Sequence, residues 1–117
     1  MLSRLLFWRK RRAVVPVVRL SGVIAAGGGL RRGISLEAVE PQLKKAFSIK
    51  SARAVALIIN SPGGSPVQSA LIGQRVRELA RKADLPVLAF CEDVAASGGY
   101  WLAASADEIY SNGASII

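Results

Sequence analysis

The chain has 117 residues, 51% of them hydrophobic and 21% charged, the balance of one folded domain at most rather than of a disordered segment. It has no histidine and one cysteine, which excludes a Ser-His-Asp triad, a disulfide framework and a zinc site built from several Cys or His ligands. Its motifs call for no cofactor and no metal, and its net charge of +8 is unevenly spread.

The imbalance lies in residues 1–12, which carry Arg4, Arg9, Lys10, Arg11 and Arg12 and no acidic residue, leaving eleven basic and eight acidic residues for the rest. Leu2, Leu5, Leu6, Phe7 and Trp8 beside that run make peripheral contact with an anionic membrane surface one expectation for this tail. A solvated leader is the plainer alternative. A nucleic-acid arm would need stacking aromatics beyond Trp8, so no nucleic-acid partner is expected. The apolar part is too short to span a bilayer and precedes the charges, unlike a signal peptide or a transmembrane anchor. The location expected is therefore cytoplasmic or peripheral to a membrane, with residues 13–117 forming the folded part.

Ala13 to Val18 reads as a β-branched strand in which Pro16 suits an edge or the strand's beginning. A short extended piece at Gly22-Val23-Ile24 follows, then Gly27-Gly28-Gly29 breaks regularity as a loop. Ser35 is a candidate N-cap for a helix of roughly Leu36 to Ser48, unless Pro41 marks its first turn and the helix begins near Glu40. Residues 54–59 are an uninterrupted apolar run, the pattern of a strand covered on both faces. Ser65 then caps a helix that starts at Pro66 and ends near Asp84, with Ile72, Val76, Leu79, Ala80 and Ala83 on its apolar side. Residues 87–91 form the next strand, Ser97 to Ala106 a helix, and Glu108 to Tyr110 a last strand. Strand, helix, strand, helix, strand predicts parallel pairing through right-handed crossovers.

Two glycine turns punctuate this order, each leaving an apolar strand and entering a helix. They are Asn60-Ser61-Pro62-Gly63-Gly64-Ser65 and Ala95-Ala96-Ser97-Gly98-Gly99-Tyr100-Trp101. Glycines allow backbone N–H groups to approach a ligand, and helix starts favour developing negative charge. Ser97 sets a hydroxyl where such charge would form, the arrangement of an oxyanion hole around a serine nucleophile. The plain readings are an N-cap serine and a Pro-Gly turn that only reverses the chain. Asn60, Glu92 and Asp93 are read as satisfying strand ends, Tyr100 and Trp101 as core-packing aromatics with a cleft as the alternative, and Cys91 as a buried, inert thiol.

Ile59 to Ser65 followed by Glu92 to Trp101 closely resembles the signal peptide peptidase A group of serine proteases, which are Ser-Lys peptidases on the ClpP/crotonase fold. The resemblance runs from about Val14 to Ile117. It implies an α/β fold, a ClpP/crotonase-like parallel sheet with flanking helices, that is incomplete here. By it Ser97 matches the nucleophile, Gly98 an oxyanion donor, and Gly63 and Gly64 the second oxyanion loop. It further implies a peptide substrate, and a homo-oligomer in the full-length form. The family's lysine base lies tens of residues beyond the serine, whereas the 20 residues after Ser97 contain no lysine. The chain therefore reads as the nucleophile-bearing N-terminal part of a peptidase, inactive alone. The competing functions are a non-catalytic peptide-binding or assembly relative, and an acyl-CoA enzyme of the crotonase kind, whose chemistry needs no serine at this position.

Overall fold

The computed structural model describes residues 12–26 and 33–117. The proposed tail, apart from the exposed Arg12, and the Gly27-Gly28-Gly29 loop lie outside them. The elements in chain order are β1 (Val17–Ser21), α1 (Leu36–Phe47), β2 (Val55–Ser61), α2 (Pro66–Ala83), β3 (Val87–Ala95), α3 (Gly98–Ala104) and β4 (Glu108–Ser111). The four strands lie side by side in chain order, and every neighbouring pair is parallel. This is the α/β architecture that the alternation of elements implies.

Successive crossovers of one hand between adjacent parallel strands return every helix to the same face of the sheet. Burial follows that geometry. Val18, Leu20, Val55, Leu57, Ile59, Val87, Ala89 and Cys91 are buried, against Val39, Leu43 and Phe47 of α1, Ile72, Val76 and Ala80 of α2, and Leu102 and Ala103 of α3. On the opposite face Val17 is 58% exposed, Arg19 is exposed, and the rings of Phe90 and Tyr110 stack with centroids 5.3 Å apart. Coverage on both faces, expected from the apolar run at 54–59, is thus corrected, among the described residues, to helices on one face. The run is nonetheless nearly all buried, because β2 lies inside the sheet between β1 and β3 and the small Ala56 is shielded by its neighbours.

Other boundaries shift for local reasons. The first strand begins at Val17, not Ala13, because Pro16 offers no N–H, although its carbonyl accepts from Ala56 N–H at 2.9 Å. Helix α1 runs through Pro41 from its Ser35 cap, whose hydroxyl accepts from Ala38 N–H at 3.2 Å. The later start near Glu40 is overturned. Pro41 and Glu37 are both exposed, so water can satisfy the carbonyl that the proline leaves without a donor. Helix α2 matches its expected limits: the Ser65 hydroxyl accepts from Gln68 N–H at 3.2 Å, and Asp84 closes the helix in a left-handed conformation at φ 55°. Strand β3 continues past Cys91 to Ala95, farther than its apolar run.

Candidate active site

The continuation of β3 is what delivers Ser97. Ile59 pairs with Cys91 but Ser61 pairs with Ala95, so β3 carries two extra residues across this irregularity. The displaced segment is held by side and main chains: Asn60 Oδ1 accepts from Val94 N–H at 3.2 Å, and Ile116 brackets it, donating to Asp93 O at 2.9 Å and accepting from Ala95 N–H at 2.8 Å. Glu92 pairs with Arg19 at 2.9 Å. Of the three polar residues read as satisfying strand ends, Asn60 does so through its side chain, Glu92 is engaged by Arg19 of β1, and Asp93 takes part through its backbone carbonyl.

The chain then turns sharply into α3 at Ser97, whose φ of 55° and ψ of −122° are outside the regions that residues with a Cβ ordinarily adopt. Ser97 occupies the N-cap position yet its hydroxyl makes no capping hydrogen bond, and the residue is exposed. The plain N-cap reading does not describe it. A strained strand-to-helix turn that presents a free hydroxyl is the geometry by which serine hydrolases expose a nucleophile.

The first glycine turn packs directly on the second. Gly63 has φ 106° and Gly64 φ 147°, conformations open to glycine and costly for other residues. A Cβ on Gly63 would stand 2.8 Å from Gly98 N and 2.8 Å from Ser97 Cβ, while one on Gly64 would collide with the Ile24 carbonyl. Ile24 holds this loop from the other side, donating to Gly63 O at 2.9 Å and accepting from Ser65 N–H at 2.7 Å. Because a ladder partner uses the groups flanking Gly64, the N–H of Gly64 itself points away from Ile24.

The two glycines of this loop are not equivalent. Gly63 is buried and donates its N–H to Ser61 Oγ at 3.1 Å. Gly64 is exposed, and among the described residues neither its N–H nor that of Gly98 has an acceptor. The site therefore brings all four anticipated residues together, with Gly64 and Gly98 offering donors and Gly63 engaged internally. Sequence reasoning passed over Ile24, Ser61 and Ser69. Ser69 is fully buried, donates to Ser65 O at 2.7 Å, and its Oγ occupies the space that a side chain on Gly98 would need.

Other candidates separate from this centre. Lys44, Lys45, Lys50 and Lys82 are all exposed near the ends of α1 and α2. Cys91 is buried, and burial pushes its thiol up, away from the reactive thiolate form. Tyr100 and Trp101 are 46% and 49% exposed, so the core-packing expectation for them is overturned. The helix α3 is short and turns their side of it outward. Trp101 lines a surface cavity of about 490 Å³ between α2 and α3 with Gly73, Arg77 and Ser105, and Ser97 is not on its wall.

Comparison with known proteins bears on this geometry. The description of peptidase family S49 matches residues 79–117, which include the whole second turn. The chain is 36% identical over 98 residues to Protease 4 of Haemophilus influenzae, covering 84% of this chain and 16% of that protein. It is 33% identical over 98 residues to the chloroplastic serine protease SPPA of Arabidopsis thaliana, covering 84% of this chain and 14% of that protein. It is also 52% identical over 113 residues to a protein named Na(+)/H(+) antiporter NhaA in Brucella melitensis biotype 1, covering 93% of this chain and 15% of that protein. The chain thus spans about one-sixth of the length of these relatives. No described helix is long and apolar enough to cross a membrane.

Proposed function

Because the chain belongs to peptidase family S49, in its signal peptide peptidase A branch, we propose that it carries the nucleophile and oxyanion hole of a serine peptidase. The observation that carries this reading is Ser97, exposed on a strained turn with no capping hydrogen bond from its hydroxyl, beside two glycine N–H groups that have no acceptor among the described residues.

In the proposed reaction Ser97 Oγ attacks the peptide carbonyl carbon while a base takes its proton. The carbonyl oxygen becomes an oxyanion held by Gly64 N–H and Gly98 N–H, donors of a kind whose loss costs about 3–4 kcal/mol in serine proteases. Collapse expels the amine, which receives the proton back, and water hydrolyses the acyl-serine. The base is a lysine supplied from outside this chain: the described lysines are exposed, whereas a lysine base needs burial or a cationic neighbour to lower its pKa. The substrates are short or unfolded membrane-associated peptides, and the working form is a homo-oligomer. Residues 1–12 hold it against anionic membrane, so its sedimentation with anionic vesicles should weaken when they are removed and when salt is raised.

A fluorophosphonate tests the central claim. The native gene product should be labelled at Ser97, and the Ser97→Ala protein should not. Label appearing elsewhere, or none, would remove the peptidase reading and leave the non-catalytic peptide-binding relative. A crotonase-type acyl-CoA activity has no use for an exposed hydroxyl on a strained turn. The isolated 117-residue chain should show no peptide turnover, since an unassisted serine hydroxyl is a weak nucleophile at neutral pH.

A further inference from the structure

We infer that Ser61 is the positioning residue of the oxyanion hole: its hydroxyl takes up the Gly63 N–H so that Gly64 is the donor of the first turn, and its carbonyl fixes the second turn against the first. The inference rests on the peptidase reading of Ser97 and adds to it a residue that never touches substrate.

Ser61 ends β2 and is fully buried. Its Oγ accepts from Gly63 N–H at 3.1 Å. Its carbonyl oxygen accepts from Ala96 N–H at 3.1 Å, one residue before Ser97. Ser61 also pairs with Ala95 immediately after the register shift that delivers Ser97. One residue thereby grips both turns, one through its side chain and the other through its backbone.

The consequence for the donors follows from hydrogen-bond accounting. Gly63 is buried, and a buried N–H left without an acceptor costs free energy. With the Ser61 hydroxyl in place that demand is met inside the turn, and the next N–H along, on the exposed Gly64, is left for a ligand. Without the hydroxyl, Gly63 N–H loses its acceptor, and the peptide planes on either side of it rotate to recover one. The Gly64 N–H swings with them, since consecutive peptide planes share a Cα. An oxyanion donor acts through its aim at the developing charge, so this rotation lowers kcat and leaves ground-state binding nearly unchanged.

The test uses the native gene product and its Ser61→Ala and Ser61→Cys variants. Cysteine fills this buried position with a somewhat larger atom in the place of the hydroxyl and is a weaker acceptor. Fluorophosphonate labelling of Ser97, whose phosphoryl oxygen enters the oxyanion hole, should slow about 10- to 100-fold in the Ala variant and by less in the Cys variant, compared with the 10²- to 10³-fold expected for losing a donor outright. Peptide turnover should show the same order in kcat with KM little moved. Amide exchange on protein labelled with ¹⁵N-glycine needs no variant: Gly63 should be protected and Gly64 should exchange fast. Equal labelling rates in all three proteins, or fast exchange at Gly63, overturns the role of Ser61 while the peptidase reading stands. A native protein that is not labelled at Ser97 overturns both. If the Ala variant does not fold, the Cys variant and the exchange contrast decide.

Discussion

Gly63 lies so close to Ser97 that a methyl group on its Cα would stand 2.8 Å from Ser97 Cβ. The two turns are therefore built against each other through an absent side chain. Gly63→Ala should cost about 1–3 kcal/mol, from the contact and from an alanine held at φ 106°. Because relief of the clash must push the turns apart, labelling of Ser97 by a fluorophosphonate should fall as well. Denaturant titration and labelling rate check this, and a variant unchanged in both would show that the turns are not tightly apposed.

A second contact of this kind links Gly98 to Ser69. A Cβ on Gly98 would run into Ser69 Oγ and stand 3.0 Å from Ile24 Cδ1. Gly98→Ala should thus destabilise by about 1–3 kcal/mol through overpacking. Ser69→Ala removes the nearest obstructing atom, so the double variant should be more stable than the two single losses added together. Residues in contact couple by about 0.5–3 kcal/mol. Additive losses in the double-mutant cycle would place the strain of Gly98→Ala elsewhere.

Asp107 supplies a pH-dependent element at the other end of the sheet. Its carboxylate accepts from Val87 N–H at 2.7 Å and from Arg77 at 3.3 Å. The Val87 N–H does most to hold its pKa below the ordinary value, with Arg77 helping and partial burial opposing. A depressed carboxylate stabilises the fold above the unfolded value of about 3.9 and loses that contribution as pH falls through the lower folded value. Asp107→Asn should therefore cost about 1 kcal/mol or less at pH 7, the side chain being 42% exposed. The gap between the two proteins should close below about pH 4. A gap independent of pH would assign the loss to shape and not to charge.

Much of this was legible in the residues because the relevant signals are local. Ser65 with Pro66, and Asp84 before Pro86, mark both ends of α2 in the sequence itself. The two glycine turns likewise identify themselves by leaving apolar runs and entering helical spacing. The relationships that complete the site are long-range and leave no such trace. Ile24 is an isoleucine in a short extended piece, and only the folded chain reveals that it holds Gly63 and Ser65. The hydroxyls of Ser61 and Ser69 bond locally, to Gly63 and Ser65, but what they position is distant in sequence: the Ser61 carbonyl holds Ala96 and Ser69 Oγ stands against Gly98. The face of the sheet that carries no helix among the described residues leaves no mark in the sequence, because a central strand and a doubly covered strand share one apolar pattern.

The conformation of Ser97 gives the last expectation, which sets stability against function. At φ 55° and ψ −122° its Cβ is held in a strained position, and such backbone costs about 1–3 kcal/mol for residues other than glycine. Ser97→Ala removes the hydroxyl but keeps the Cβ, so it should abolish fluorophosphonate labelling and leave stability near that of the native protein. Ser97→Gly removes both. Glycine is ordinarily worse than alanine by roughly 0.5–1 kcal/mol in regular structure because it loses more chain entropy on folding. Here that order should reverse, with Ser97→Gly more stable than Ser97→Ala by about 1 kcal/mol, since strain relief outweighs the entropy term. Thermal and denaturant unfolding of the two variants measure the difference directly. If alanine proves the more stable, the turn at Ser97 is relaxed, and the hydroxyl is presented without stored strain.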